Sequence, residues 1–106
     1  MQDTLFIAWT TVDSEASAQR IATDLVERRL ACCVQIDAAV RSVYRWEGAV
    51  QSGSEWRLWI KFVARHAQRL NTYIEENHPY DVPEWVVVRA EQVAPHYLKW
   101  ALRAYE

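Results

Sequence analysis

The stretch that decides the fold is Val40-Arg-Ser-Val-Tyr-Arg-Trp-Glu-Gly-Ala-Val-Gln-Ser-Gly-Ser-Glu-Trp-Arg-Leu-Trp-Ile-Lys-Phe62. Apolar side chains recur at every second position of its second half, at Trp56, Leu58, Ile60 and Phe62. Because alternate residues of a strand share one face, each half predicts a half-buried β-strand. Both glycines of the chain, Gly48 and Gly53, lie in the polar segment between the halves. The stretch therefore predicts a long β-hairpin with a loose turn, and aromatic residues on both of its faces indicate a subunit interface.

Length and composition limit the class of protein. A chain of 106 residues, of which 51% are hydrophobic, predicts one domain over residues 1–106. Basic and acidic residues are interspersed at a formal net charge of −2, so nucleic acid is not expected as a partner. No apolar run is long enough to span a bilayer, so no membrane contact is expected. Cys32 and Cys33 are neighbours that are poorly placed to bridge each other, and two free thiols indicate a cytoplasmic location.

The segments on either side of the hairpin predict an alternation of strands and helices. Residues 5–11 and 31–36 are strand-like, and an interruption at 37–39 separates the second of them from the hairpin. Apolar residues at helical spacing predict helices over 15–29 and 64–77, and a third that begins at Pro95. Residues 84–91 are apolar on both sides of the pleat, which favours a central strand. The order β-α-β-β-α-β plus a terminal helix predicts an α+β, ferredoxin-like βαββαβ sandwich with a long β-hairpin, an extra C-terminal helix and one open sheet face.

Sequence motifs for catalysis are absent. The chain has only two glycines, so no phosphate-binding loop is possible, and it has no Cys-x-x-Cys or His-Glu-x-x-His pattern. No serine lies in the strand-turn-helix context that marks a nucleophile. A binding protein is therefore expected rather than an enzyme.

Three side chains are candidates for binding a ligand. The thiol of Cys33 is a potential soft-metal ligand, although a small buried side chain in a strand is the more frequent role of a free cysteine. His78 has Asp81 and Glu84 nearby in sequence, and it either binds a divalent ion with them or bonds within its own loop. Lys61 lies on the hairpin, where it either neutralises an anionic ligand or forms a salt bridge on a solvated strand face.

Four blocks of the sequence carry a family resemblance. They are Arg29-Leu-Ala-Cys-Cys-Val34, Ser42-Val-Tyr-Arg-Trp-Glu-Gly48, His78-Pro-Tyr-Asp-Val-Pro-Glu84 and Tyr97-Leu-Lys-Trp100. In this order they resemble the CutA family of divalent-cation tolerance proteins. The resemblance implies a small cytoplasmic protein with a ferredoxin-like fold, assembled as a homotrimer, with no established catalytic activity. It also implies a role in tolerance of copper and other divalent ions.

The resemblance further implies a site at a cleft between subunits. It places the loop from His78 to Glu84 near the strand that bears Cys33, so the expected metal ligands are Cys33, His78 and Glu84. The residues expected to line the cleft or contact a ligand there are Tyr44, Trp46, Lys61 and Tyr80. Two tryptophans are expected at the trimer interface, Trp46 and Trp59. No obligatory cofactor is expected, and copper or another divalent cation should bind weakly, because Thr10 and Asn77 stand where some relatives carry a cysteine and a histidine.

A second function, of a different class, is compatible with the same residues. The trimer of the resembled family is similar in architecture to that of the PII-type signalling proteins. A PII-like scaffold would bind a small anion or a protein in its intersubunit clefts, and Lys61 would neutralise the anion. Soft-metal binding should depend instead on Cys33 and His78, which separates the two hypotheses.

Overall fold

The computed structural model describes residues 4–105, and these have the predicted order of elements. They form five strands and three α-helices: β1 (Leu5–Val12), α1 (Glu15–Glu27), β2 (Cys33–Ile36), β3 (Val40–Trp46), β4 (Ala49–Val63), α2 (Ala67–Asn77), β5 (Val86–Arg89) and α3 (Pro95–Arg103). A short 3-10 helix, Ala64–His66, leads into α2. The α+β, ferredoxin-like fold with a long hairpin and an added helix is thereby confirmed. Residues 1–3 and 106 of the predicted domain lie outside the described residues.

β4 is the strand to which most of the sheet is attached. The sheet is antiparallel with the order β2-β4-β1-β5, and β3 pairs with the first half of β4. β1 runs along one side of β4, with Trp9 opposite Trp59, whereas β2 and β3 follow each other along the other side. The predicted interruption at residues 37–39 separates β2 from β3.

Asp37 holds this interruption against β4. Its carboxylate accepts hydrogen bonds from Nε1 of Trp59 (2.8 Å) and from Nε of Arg57 (2.9 Å). The bonds from Trp59 and Arg57 hold the pKa of the Asp37 carboxyl below its ordinary value. Arg57 also lies over the Trp59 ring, with its guanidinium carbon 5.1 Å from the ring centre. The break between β2 and β3 is therefore anchored to the strand that both of them pair with.

The hydrophobic core lies between the sheet and the helices α1 and α2. Leu58, Ile60 and Phe62 are fully buried on that face, as the alternation predicts. The buried helical residues are Ala18, Ile21, Ala22 and Leu25 of α1 and Leu70, Tyr73 and Ile74 of α2. Ser14 begins α1 by accepting a hydrogen bond from the backbone N–H of Ser17 (3.1 Å). None of the helices in residues 4–105 has the length and hydrophobicity to cross a membrane.

Within residues 4–105, the opposite face of the sheet is covered only at one end, by α3. Ala101 of this helix is buried in an apolar cluster with Leu5 and Cys32. Trp9 and Trp59 lie side by side farther along the same face, with ring centres 5.5 Å apart. Both tryptophans keep partial exposure, so this part of the face is accessible in a single chain.

The hairpin turn is tight, and the expectation of a loose turn was wrong. Two residues, Glu47 and Gly48, connect β3 to β4, and both have positive φ (51° and 80°), as a type I′ turn requires. Gly53 lies inside β4, opposite Ser42. The polar residues around Gly53 form strand because their backbone groups find partners on β3, which outweighs their low strand propensity.

β5 is an edge strand, which corrects the expected central position. Its one paired neighbour among residues 4–105 is β1, with Val88 opposite Ile7. Val86, Val87 and Val88 are 39–43% exposed. A strand that is apolar on both sides needs cover on both faces, and a single chain supplies little of it. The pattern therefore reports a need for burial, not the position of the strand within its own chain.

Replacing each glycine by alanine tests the hairpin geometry. In Gly48→Ala the added Cβ meets a backbone at φ +80°, so we expect the free energy of unfolding to fall by about 1–2 kcal/mol. In the control Gly53→Ala the Cβ has nothing within 4 Å, so we expect no loss and a gain of up to about 0.5–1 kcal/mol. Urea unfolding followed by tryptophan fluorescence measures both effects. Equal effects of the two substitutions would contradict the tight turn.

Candidate functional site

A cavity of about 820 Å³ opens between the hairpin and the loop that follows α2. Loop residues 80–84 form one wall, and Thr11 and Asp13 lie at the end of β1 between the walls. The hairpin forms the other wall with Ser42, Val43, Tyr44, Trp46, Ser54 and Glu55. This volume is within the range of pockets that bind small organic ligands.

His78 fixes the loop at the point where it leaves α2. A residue that precedes proline avoids the helical region, so α2 ends at Asn77 and His78 is extended (ψ 138°). Its imidazole reaches β1, where Nε2 lies 2.9 Å from Oγ1 of Thr10 and 3.1 Å from the carbonyl oxygen of Thr11. Nδ1 accepts a hydrogen bond from the backbone N–H of Tyr80 (3.1 Å). One side chain thus joins the loop to the sheet.

These contacts define the protonation state of His78. The backbone N–H of Tyr80 can only donate and the carbonyl of Thr11 can only accept, so the proton is on Nε2 and Nδ1 is the acceptor. Burial lowers the pKa of His78, and this effect outweighs the Thr11 carbonyl and the carboxylates of Glu55 and Asp13, which act in the opposite direction. The imidazole is therefore neutral at physiological pH, and both of its nitrogens have partners.

Further hydrogen bonds set the two walls of the cavity. The hydroxyl of Tyr80 donates to Oε2 of Glu55 (2.8 Å), which connects the loop to the hairpin. Burial and this bond raise the pKa of Tyr80, so the hydroxyl remains a donor. The hydroxyl of Thr11 donates to Oε1 of Glu84 (3.4 Å). Just beyond the loop, Nε1 of Trp85 donates to an amide oxygen of α2 (2.9 Å), so the loop is held near both ends.

The cavity is both acidic and aromatic. Its charged lining residues are the carboxylates of Asp13, Glu55, Asp81 and Glu84, and the described residues that line it include no Lys, Arg or His. Its aromatic lining residues are Tyr44, Trp46 and Tyr80. Negative charge gathered in a concave surface raises the local concentration of cations. The cavity therefore favours a cationic ligand over an anionic one.

The structure places the predicted ligand residues in two regions. Tyr44, Trp46, Tyr80 and Glu84 line the cavity, and His78 supports its loop wall. Cys33 instead pairs with Lys61 on β4 and packs in the α3 cluster. His78 contacts Thr11 of β1, and the residue of β4 opposite Thr11 is Arg57. Arg57 is four positions from Lys61, the partner of Cys33, which is roughly 13 Å along the strand. Within one chain, Cys33 therefore meets neither His78 nor Glu84.

A single chain does not form a closed metal site within the part that the structure describes. No group of three or more His, Cys, Asp or Glu side chains in residues 4–105 is arranged to hold a metal ion. The lone pair on Nδ1 of His78 is already used by the N–H of Tyr80. The set of Cys33, His78 and Glu84 thus does not fit a metal in one chain, and only an arrangement across subunits would bring all three together.

Lys61 and Trp59 face the α3 side of the sheet. Nζ of Lys61 donates to Oε1 of Gln35 (3.0 Å) and lies 5.5 Å from the ring centre of Tyr97. Trp59 packs against Trp9 on the same face. Lys61 does not line the cavity within one chain, so its expected place beside Tyr44 and Tyr80 at a cleft between subunits stays a prediction.

Sequence reasoning missed half of the acidic lining. Asp13 precedes Ser14 at the start of α1 and Glu55 lies within β4, and neither position by itself points to a cavity. The register of β1 against β4 brings the two residues together. Val12 lies opposite Trp56 at the end of this pairing, so Asp13 and Glu55, the next residue of each strand, lie at the same end. That register could be inferred only by pairing the apolar face of β4 with that of β1.

Known proteins are similar to this chain in sequence and in fold. The family model described as CutA1 divalent ion tolerance protein matches residues 6–104. The divalent-cation tolerance protein CutA of Pectobacterium atrosepticum is 41% identical over 90 residues, which cover 85% of this chain and 82% of that protein. A protein CutA homolog of Xenopus laevis is 38% identical over 96 residues, which cover 91% of this chain and 64% of that protein. The structure of CutA from Synechococcus elongatus has a TM-score of 0.93 at 31% identity and covers 98% of this chain and 92% of that chain.

The lowered pKa of His78 predicts a stability that depends on pH. A histidine of the unfolded chain has a pKa of about 6.5 and takes up its proton before the folded one, so the stabilisation is complete above about pH 6.5 and is lost as the pH falls through the lower folded pKa. We expect the free energy of unfolding to drop more between about pH 7.5 and about pH 5 in the wild type than in His78→Gln. His66, whose pKa burial also lowers, is present in both proteins and cancels in the comparison. Identical pH profiles of the two proteins, measured by urea unfolding, would contradict the neutral, half-buried imidazole.

Proposed function

This chain belongs to the CutA1 divalent ion tolerance family, and on that premise we propose that it is a homotrimer that binds a divalent cation and catalyses no reaction. The observation that carries the cation preference is the cavity, whose charged lining residues are all carboxylates. The same charges disfavour the alternative of a PII-like anionic ligand in this cavity. Lys61, the cation on which that alternative depends, is engaged with Gln35 on the α3 side of the sheet.

The proposed ligands are Glu84, which faces the cavity, His78 behind it, and Cys33 from a neighbouring subunit. Nδ1 of His78 carries the lone pair that a metal would take, and that lone pair now accepts the N–H of Tyr80. Metal binding must therefore displace a hydrogen bond of the loop, which favours weak binding. Sulfur, nitrogen and oxygen together suit copper or zinc better than magnesium or calcium, which prefer oxygen ligands.

The proposed assembly would cover surfaces that a single chain leaves exposed. β5 is an apolar edge strand, and native proteins usually pair or cover such an edge. The part of the hairpin beyond the core exposes Val43, Tyr44, Trp46 and Val50. Trp9 and Trp59 lie on the uncovered part of the sheet. Three copies that associate through β5 and the hairpin, with Trp46 and Trp59 at the interface, would bury all of these surfaces.

We also propose a cytoplasmic location. Cys32 and Cys33 are both free thiols, and adjacent free thiols persist best in a reducing compartment. Burial raises the pKa of Cys32 to about 11, which keeps this thiol protonated and unreactive. Recovery of the protein outside the cytoplasmic fraction of the cell would contradict this location.

Assembly is tested by light scattering at micromolar concentration. The wild type should have three times the mass of one chain. Val88→Lys puts a charge on the β5 edge and should dissociate the trimer. Val26→Lys is the matched control, because Val26 on α1 is 44% exposed and Val88 is 43% exposed. A monomeric wild type, or a Val88→Lys variant that stays trimeric, would show that β5 is not the interface.

Metal binding is tested by titration calorimetry with copper and zinc. We expect weak binding to the wild type, reduced in both His78→Ala and Glu84→Gln, and reduced as the pH falls through the lowered pKa of His78, because a protonated imidazole does not coordinate. Glu27→Gln removes a carboxylate that is exposed on α1, away from the cavity, and should bind as the wild type does. Equal heats from all four proteins would mean that His78 only supports the loop and that Glu84 is not a ligand.

A further inference from the structure

The part of the hairpin beyond β1 is a two-stranded ribbon that extends from the body of the protein. The pairing of β1 with β4 ends at Trp56, so residues 40–46 and 49–55, here called the ribbon, pair within residues 4–105 only with each other. A ribbon of two strands is at best marginally stable by itself. It therefore needs contacts with the rest of the chain to keep its direction.

The direction of the ribbon decides where its apolar side chains lie. Its exposed apolar residues are Val43, Tyr44, Trp46 and Val50. The segment from Ala49 to Glu55 spans roughly 20 Å at about 3.3 Å per residue, so a tilt of about 10° at Glu55 would move the turn by roughly 3–4 Å. That displacement is well beyond the surface gap of about 0.5–1 Å that an apolar contact allows. A small change of angle at the base would thus separate the ribbon from a neighbouring subunit.

Tyr80 connects the base of the ribbon to the loop across the cavity. Its hydroxyl donates to Oε2 of Glu55 (2.8 Å), and Glu55 is the ribbon residue next to the end of the pairing with β1. The two residues lie on opposite walls of the cavity of about 820 Å³. A hydrogen bond to a carboxylate is stronger than one between neutral groups. This bond therefore sets the distance between the ribbon and the loop.

The loop is the fixed end of this connection. The backbone N–H of Tyr80 donates to Nδ1 of His78, whose Nε2 contacts β1. The rings of His78 and Tyr80 also pack edge to face, with their centres 5.0 Å apart. Pro79 and Pro83 restrict the backbone of the loop further. Because β1 belongs to the core sheet, the contacts run from the core through the loop to the ribbon.

We propose that Tyr80 positions the hairpin for subunit association, because its bond to Glu55 holds the ribbon at the angle at which the apolar side chains meet a neighbouring subunit. This inference rests on the proposed homotrimer and adds to it a residue that acts through the hairpin. A ribbon that is held in place before association loses less conformational freedom when the subunits meet. Loss of the bond should therefore weaken the trimer more than it weakens the fold of one chain.

The test is the rate of subunit exchange. Trimers of unlabelled and of heavy-isotope-labelled chains are mixed, and native mass spectrometry follows the appearance of mixed trimers. Tyr80→Phe removes the hydroxyl and keeps the ring, and should exchange about five- to tenfold faster than the wild type. Glu55→Ala should have the same effect, and the double variant should exchange no faster than either single variant, because both remove one and the same bond. Glu55→Gln keeps an acceptor oxygen and should restore most of the wild-type rate.

Tyr73→Phe is the matched control. The hydroxyl of Tyr73 donates to Oδ2 of Asp24 (2.9 Å), so this substitution also removes a bond between a tyrosine and a carboxylate, but one between α2 and α1. It should lower the stability of the fold and leave subunit exchange closer to the wild-type rate than Tyr80→Phe does. Equal acceleration in Tyr73→Phe and Tyr80→Phe would mean that exchange follows general stability, and would overturn the proposal.

Amide hydrogen exchange locates the effect within one chain. In Val88→Lys, the variant expected to be monomeric, adding Tyr80→Phe should speed the exchange of the ribbon amides about fivefold or more and leave those of α1 unchanged. Equal changes in the ribbon and in α1 would overturn the proposal, because they would show that the bond does not act on the ribbon in particular.

The outcomes separate this inference from the proposed assembly. A wild type that is monomeric by light scattering would overturn the assembly and, with it, this role of Tyr80. A trimeric wild type whose subunit exchange is unchanged by Tyr80→Phe would overturn this inference alone.

Discussion

The pairing of β4 with three other strands is the constraint on which the rest of the structure depends. Its 15 residues pair with β1, β2 and β3. One face of its second half buries Leu58, Ile60 and Phe62 in the core. A slip of one residue would turn these side chains away from α1 and α2, so the core fixes the register. The same register sets Val12 opposite Trp56 and brings Asp13 to the cavity, so the site follows from the packing of the core.

His78 shows how a structural role limits a chemical one. Its Nε2 contacts the hydroxyl of Thr10, a side chain that is fully buried, and its Nδ1 accepts the N–H of Tyr80. A buried polar group without a partner costs about 1–3 kcal/mol, so an imidazole that leaves these partners to bind a metal destabilises the fold. The loop therefore keeps its shape because the imidazole stays neutral and in place. A histidine beside carboxylates in a sequence looks like a metal ligand, but its hydrogen-bond partners decide how readily it can act as one.

Features that depend on residues close together in the sequence were predicted correctly, and features that depend on residues far apart in the sequence were not. The buried face of β4 and the end of α2 before Pro79 depend on neighbouring residues, and both were predicted correctly. The turn at Gly48 was misjudged because strand pairing, not composition, determines where a hairpin ends. β5 was misplaced because an apolar pattern records that a strand is to be buried without saying what buries it. The cavity combines residues from β1, the hairpin and a loop, so no local pattern contains it.

The distribution of charge explains why a cation can be favoured without a closed coordination site. Four of the 14 acidic residues of the chain line one cavity, while its formal net charge is only −2. The attraction is therefore local, and it acts through the field of several separated carboxylates. A site of this kind attracts cations by charge and discriminates poorly between metals, because softness is recognised only when sulfur or imidazole reaches the ion. Cys33 lies on the α3 side of the sheet, so a copper or zinc site that includes its sulfur requires a second subunit, whereas the attraction of cations requires only the carboxylates that one chain already gathers.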